Sequence, residues 1–194
     1  KDALASFDDA LECDAKFAEA YGNRGNMLSE LGRQAEALSS FDRALALNPS
    51  AAIDWLNRGA TLHGMGRTGE AIESYDRALK LDPDYPAVHY NRAEALKGLG
   101  RTEEALAGYE RTVALAPKFA EAHLGRALIL REMGRLDEAL AAADKAIAAK
   151  ADLAATHKVR AAILEGLGRA DEARASLEKA EALAANPPQE PVRS

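Results

Sequence analysis

Glycine returns every 34 residues in this chain, at Gly32, Gly66, Gly100, Gly134 and Gly168, each preceded by Leu or Met and followed by Arg. A fixed period of that length argues against one closed core. It calls for a stack of small units, each burying its apolar face on its neighbours. Full units run over 18–51, 52–85, 86–119, 120–153 and 154–187.

Within the units, Tyr21, Trp55, His89, His123 and His157 share the fourth position, and Gly25, Gly59, Ala93, Ala127 and Ala161 share the eighth. Leu28, Leu62, Leu96, Leu130 and Leu164 follow three residues later. Spacings of four and three place these side chains on one helical stripe, which is predicted to be buried. The small eighth residue lets another helix approach closely. Beyond each Gly-Arg pair a second stripe begins, with Ala37, Ala71, Ala105, Ala139 and Ala173, followed four residues on by Phe41, Tyr75, Tyr109, Ala143 and Leu177. Asn48-Pro49, Asp82-Pro83 and Ala116-Pro117 then stop the helix, because proline donates no hydrogen bond and restricts the residue before it. Glu36, Glu70, Glu104, Glu138 and Glu172 lie in the first turn of these second helices, where the helix dipole favours them. The expectation is an all-α chain of two-helix units.

The order of aromatic, small residue, Leu, Ala, aromatic and Pro resembles the tetratricopeptide repeat pattern over residues 18–187. Two units depart from it, with Ala143 and Ala151 in the fourth and Ala185 in the fifth at aromatic or Pro positions. The resemblance implies a right-handed solenoid of antiparallel helical hairpins whose first helices line a concave groove. Residues 1–187 are read as one such domain, and 188–194 as a Pro-rich tail. Ala3, Phe7 and Ala10 occupy the positions of Ala37, Phe41 and Ala44, so 1–17 reads as the second helix of a truncated repeat. That reading makes the chain a fragment of a longer protein, or a processed one, with an open first helix through which it self-associates. At the other end Arg174 and Glu181 replace aliphatic pairs such as Leu38 and Leu45, giving a polar cap.

Function is sought on the groove side of the first helices. Asn23, Asn57 and Asn91 share the sixth position, and Asn26 adds a carboxamide nearby. Each carboxamide offers both donors and an acceptor, suited to gripping an extended peptide by its backbone. This column is similar to the asparagine ladder in the repeat domains of O-linked N-acetylglucosamine transferases, although Gly125 and Val159 interrupt it. The plain alternative is a set of solvated amides with no dedicated ligand. Leu56, Tyr90 and Leu124 are candidates for an apolar pocket, and Glu94, Lys97 and Arg131 for a rim of mixed sign. A carboxylate clamp of the co-chaperone kind is set aside, because Gly22, Ala87 and Asn91 stand where its cations belong. The expected partner is a protein or peptide. The alternatives are the recognition arm of a larger enzyme, such as a repeat-containing glycosyltransferase, and a self-assembling adaptor.

Arg24, Arg58, Arg92, Arg126 and Arg160 form a column in the seventh position, and Asp42, Asp76, Glu110, Asp144 and Glu178 form one of opposite sign in the second helices. Phosphate binding and internal pairing are both open to the arginines, and matching columns favour pairing. Net charge is -6, with basic residues interleaved among acidic ones, so nucleic acid is not an expected partner. His89, His123 and His157 sit one per unit, too far apart to share a metal. No catalytic constellation and no cofactor motif stands out. No apolar run of about 18 residues offers a membrane span. Cys13 shares the position of Leu47 and reads as a buried hydrophobe. The Arg and Ala bias, with Asn-Arg-Gly at 23–25 and 57–59, resembles bacterial repeat proteins, which implies a cytoplasmic location.

Overall fold

In a computed structural model of the chain, which describes residues 2–185, the five periodic glycines all adopt left-handed backbone with φ between 70° and 76°. Each ends a helix in the same way. The Gly32 N–H donates to the Ser29 carbonyl at 3.0 Å and the Arg33 N–H donates to the Leu28 carbonyl at 2.8 Å. This pair satisfies carbonyls that a helix end otherwise leaves without donors. A Cβ at such a position costs about 1–2 kcal/mol, which is why glycine marks the period.

The described residues fall into two compact units, divided after Arg101. The first contains α1 (Asp2–Cys13), α2 (Ala18–Glu30), α3 (Gln34–Leu47), α4 (Ala52–Gly64), α5 (Thr68–Leu81) and α6 (Pro86–Gly98). Here α2 pairs with α3 and α4 with α5 as hairpins, while α2 also meets α4, and α4 meets α6. The second contains α7 (Thr102–Leu115), α8 (Ala120–Glu132), α9 (Leu136–Ala149), α10 (Ala154–Gly166) and α11 (Ala170–Ala185). In it α8 pairs with α9 and α10 with α11, and α8 also packs on α7 and α10. All described secondary structure is helical.

The predicted stripes are buried, apart from exposed Leu177 and half-buried Tyr21, Trp55 and His89. Leu28, Leu62, Leu96, Leu130 and Leu164 are fully inaccessible, as are Phe41 and Tyr109. Small eighth residues serve these rings: a Cβ on Gly25 would stand 2.7 Å from Phe41 Cε1. The interruption of the Asn column at Gly125 has a related cause, since a Cβ there would stand 2.5 Å from Tyr109 Cε1. The fourth-position residues do more than fill space. Trp55 Nε1 donates to the Pro49 carbonyl at 2.9 Å, and Nε2 of His89, His123 and His157 donates to the carbonyls of Pro83, Pro117 and Ala151. Each thus pins its helix to the loop before it.

The arginine and acid columns do pair, one helical hairpin out of step. Arg58 Nε donates to Asp42 Oδ1 at 2.7 Å and its Nη1 donates to Ser74 Oγ at 2.7 Å, tying α4 to both α3 and α5. Arg24 links Asp8 and Ser40 in the same manner, and Arg160 links Asp144 and Ser176. At Arg126 the serine is replaced by Ala142, the ion pair to Glu110 lengthens to 3.4 Å, and Nε is left without a partner.

Cys13 is exposed, contrary to the sequence expectation. It is the last residue of α1; at the corresponding helix ends Leu81 is likewise exposed, while Leu47 and Leu115 are half-buried. On α1, Leu4 packs on the cluster of Leu28, Ala37 and Phe41, and Phe7 and Ala10 are half-buried. The Ala3 side chain and the tail at 188–194 lie outside the described residues. Arg174, Leu177 and Glu181 of α11 are exposed.

The Gly-Arg turns carry a pH signature. Arg33 donates two hydrogen bonds to Glu36, at 2.7 and 2.6 Å, and Arg67, Arg135 and Arg169 do the same for Glu70, Glu138 and Glu172. These bonds hold the four carboxyls below the ordinary glutamate range. A carboxyl whose pKa falls on folding adds stability above its unfolded pKa, and that stability disappears as pH drops through the folded value. The thermal midpoint is therefore expected to fall between about pH 5 and about pH 3. It should fall less steeply when all four glutamates become Gln, and equal slopes would show that the turns contribute nothing.

Candidate functional site

The first-helix face of unit one is polar along the seam where α2 meets α4. Three pairs of residues succeed one another there: Gly22 with Asp54, Asn26 with Asn57, and Ser29 with Thr61. Asn57 Nδ2 donates to Asn26 Oδ1 at 2.8 Å, and the Ser29 and Thr61 hydroxyls lie 3.3 Å apart. Thr61 Oγ1 also donates to the Asn57 carbonyl at 2.8 Å, which fixes that hydroxyl against its own helix. The corresponding positions between α4 and α6 are Leu56 with Val88, Ala60 with Asn91, and His63 with Ala95. Those between α8 and α10 are Leu124 with Thr156, Leu128 with Val159, and Arg131 with Ile163. Rungs with polar side chains on both helices thus belong to the α2–α4 junction.

A recess of about 470 Å³ opens on this seam, with Asn26, Ser29, Asn57 and Thr61 on its polar wall and Phe41 and Ala60 among its apolar lining. The single bond between the two carboxamides leaves Asn26 Nδ2 as a donor and Asn57 Oδ1 as an acceptor without partners among the described residues. One peptide unit presents the complementary set, a C=O and an N–H.

Other predicted site residues are placed differently. Asn23 is exposed and Asn91 is half-buried, and neither makes a side-chain hydrogen bond among the described residues. Leu56 is only 7% exposed, so it supports the α4 packing more than it lines an open pocket. Tyr90 is half-buried. Glu94 and Lys97 are joined to each other on α6 at 2.7 Å. Leu124 and Arg131 belong to unit two, where both are half-buried on α8.

Asp54 is a feature that the sequence reading missed. It is 9% exposed in the first turn of α4, and its carboxylate lies where a Cβ on Gly22 would be 2.7 Å from Oδ1. Burial pushes its pKa up, since desolvation penalises the charged form. The equivalent residues Ala20, Val88, Ala122 and Thr156 carry no charge, and that contrast was visible in the alignment of units. Among the described residues no three His, Cys, Asp or Glu side chains converge as metal ligands, and no helix is long and apolar enough to cross a membrane.

Profiles described as "Tetratricopeptide repeat" match residues 18–51, 90–154 and 159–187, and one described as "TPR repeat" matches 64–100. No curated protein matches the chain. Among solved structures, YrrB, described as a TPR protein with an unusual peptide-binding site, is 25% identical, with 93% of each chain covered and a TM-score of 0.77. MamA is also 25% identical at a TM-score of 0.77, covering 83% of this chain and 94% of its own. The MamA fragment from Desulfovibrio magneticus RS-1, 21% identical over 89% of this chain and 97% of its own, has the same fold at a TM-score of 0.80.

Proposed function

This chain belongs to the tetratricopeptide repeat family, and from that premise we propose that it is a protein-interaction scaffold that holds an extended peptide on its first helices and performs no catalysis. The observation carrying this reading is the Asn26–Asn57 pair, which sits in a recess with one unused donor and one unused acceptor. A peptide backbone satisfies both without regard to its side chains. Asn23, one turn before Asn26 on α2, and Asn91 on α6 continue the amide supply on either side. YrrB, described as having an unusual peptide-binding site, agrees with this use of the fold.

Sequence selectivity then falls to the surroundings. Ala60 offers an apolar contact in the recess, while Glu30 and Gln34 flank it. The test is affinity for a peptide selected from a random library on the intact chain. Two backbone hydrogen bonds worth about 0.5–1.5 kcal/mol each predict that Asn26→Ala with Asn57→Ala weakens binding about tenfold or more, by calorimetry, at unchanged thermal midpoint. Unaltered affinity in that double variant would remove the basis for the proposal. Asn23→Ala with Asn91→Ala, at the ends of the series, should have the smaller effect.

A further inference from the structure

Second helices that follow one another leave a recess between them, and two of these recesses differ in a telling way. The one between α3 and α5 is about 370 Å³, holds the Trp55 indole, and carries Asp42 and Glu73 beside Arg58 and Arg77. The one between α7 and α9 is about 430 Å³, within the range of ligand pockets, and has Val113, Ala114, Pro117, Ala148 and Ala149 as apolar walls. By repeat position, Trp55 becomes His123, Lys80 becomes Ala148 and Leu81 becomes Ala149. Of these, Trp55 lines the α3–α5 recess, so there an indole has given way to the smaller imidazole of His123, and small alanines complete the α7–α9 lining.

The anchoring atom is retained through the change. Trp55 Nε1 donates to the Pro49 carbonyl, and His123 Nε2 donates to the Pro117 carbonyl, both at 2.9 Å. An indole held this way carries its second ring on the edge where the imidazole has Nδ1 and Cε1. With Nε2 donating, Nδ1 is an acceptor, and it is buried without a partner among the described residues; His123 as a whole is 4% exposed. An unsatisfied buried acceptor is costly.

Charge has changed as well. Ser50 becomes Lys118 and Glu73 becomes Ala141, while Lys145 keeps the cation of Arg77. Lys118 and Lys145 line the recess and make no ion pair among the described residues, whereas its carboxylate, Glu110, faces Arg126 at 3.4 Å. The recess therefore offers an apolar bed with free positive charge beside it.

We propose that the recess between α7 and α9 is a second docking site, for a segment of a protein partner in which an aromatic or long aliphatic side chain is flanked by carboxylates. The side chain lies over Val113, Ala148 and Ala149, and the carboxylates meet Lys118 and Lys145 in charge-assisted hydrogen bonds. This site is independent of the carboxamide seam on α2 and α4.

The test is an NMR titration of the ¹⁵N-labelled chain with acetyl-Glu-Phe-Asp-amide, beside acetyl-Lys-Phe-Lys-amide. The acidic peptide should shift the amides of Ala114, Lys118, Ala148 and Ala149 saturably, and the basic one should not. His123→Trp, which refills the recess with the residue that unit one carries on the same anchor, should weaken binding about tenfold or more. Lys118→Glu with Lys145→Glu, on the surface, should do the same without disturbing the fold. Absence of saturable shifts, equal response to the basic peptide, shifts centred on Asn26 and Asn57, or full binding by both variants would each overturn the proposal.

Discussion

Tyr75→Ala is expected to lower the unfolding free energy by about 3–5 kcal/mol, the range for removing a large aromatic side chain from a packed interior. Tyr75 is 1% exposed, and burial pushes its phenol pKa up. Its ring lies against α4, with Cε1 2.5 Å from where a Cβ on Gly59 would be. In an array with many small alanines, collapse around the lost ring has little to draw on, so the cavity term should remain. Urea unfolding followed by far-UV circular dichroism measures the loss. A change below about 1 kcal/mol would mean that the α4–α5 hairpin does not depend on this ring.

Gly59→Ala should be the second large effect, and its sign is the informative part. In a helix interior alanine is favoured over glycine by roughly 0.5–1 kcal/mol. Here the added methyl carbon would meet the Tyr75 ring at 2.5 Å, closer than packing allows, and overpacking costs about 1–3 kcal/mol. The net expectation is destabilisation of about 1–2 kcal/mol. In the Tyr75→Ala background the obstruction is gone, so the same substitution should become stabilising by about 0.5–1 kcal/mol. A double-mutant cycle tests this reversal directly. The same sign in both backgrounds would show that glycine is not kept there for the ring.

What was legible beforehand follows from what repetition exposes. Leu28, Leu62, Leu96, Leu130 and Leu164 could be assigned to the buried stripe because helical spacing and recurrence agree at those positions. The link from Arg58 to Asp42 was legible as two columns of opposite sign, although not its offset to the preceding hairpin, which depends on how far an arginine reaches across a helix crossing. The bond from Asn57 to Asn26 spans 31 residues and two different repeat positions, so comparing like positions separated what the fold joins. Helical phase alone puts Leu56 on the groove face, and packing leaves it largely covered. Asp54 escaped notice because a charge in a first turn is ordinary, and only the closeness of the α2 backbone at Gly22 makes it a buried one.

The left-handed glycine turns also bear on how such chains change length. Because each turn supplies donors to its own helix end, a block of 34 residues cut between equivalent turns takes its hydrogen bonding with it. What a newly joined pair of blocks must still provide is a serine within reach of one arginine, as Ser74 is of Arg58, and a small residue opposite one ring, as Gly59 is opposite Tyr75. Recombination in whole blocks therefore preserves folding, whereas a one-residue slip moves a bulky side chain into the turn and rotates every stripe out of phase. Copy number is open to inheritance as a variable trait, and the period itself is not.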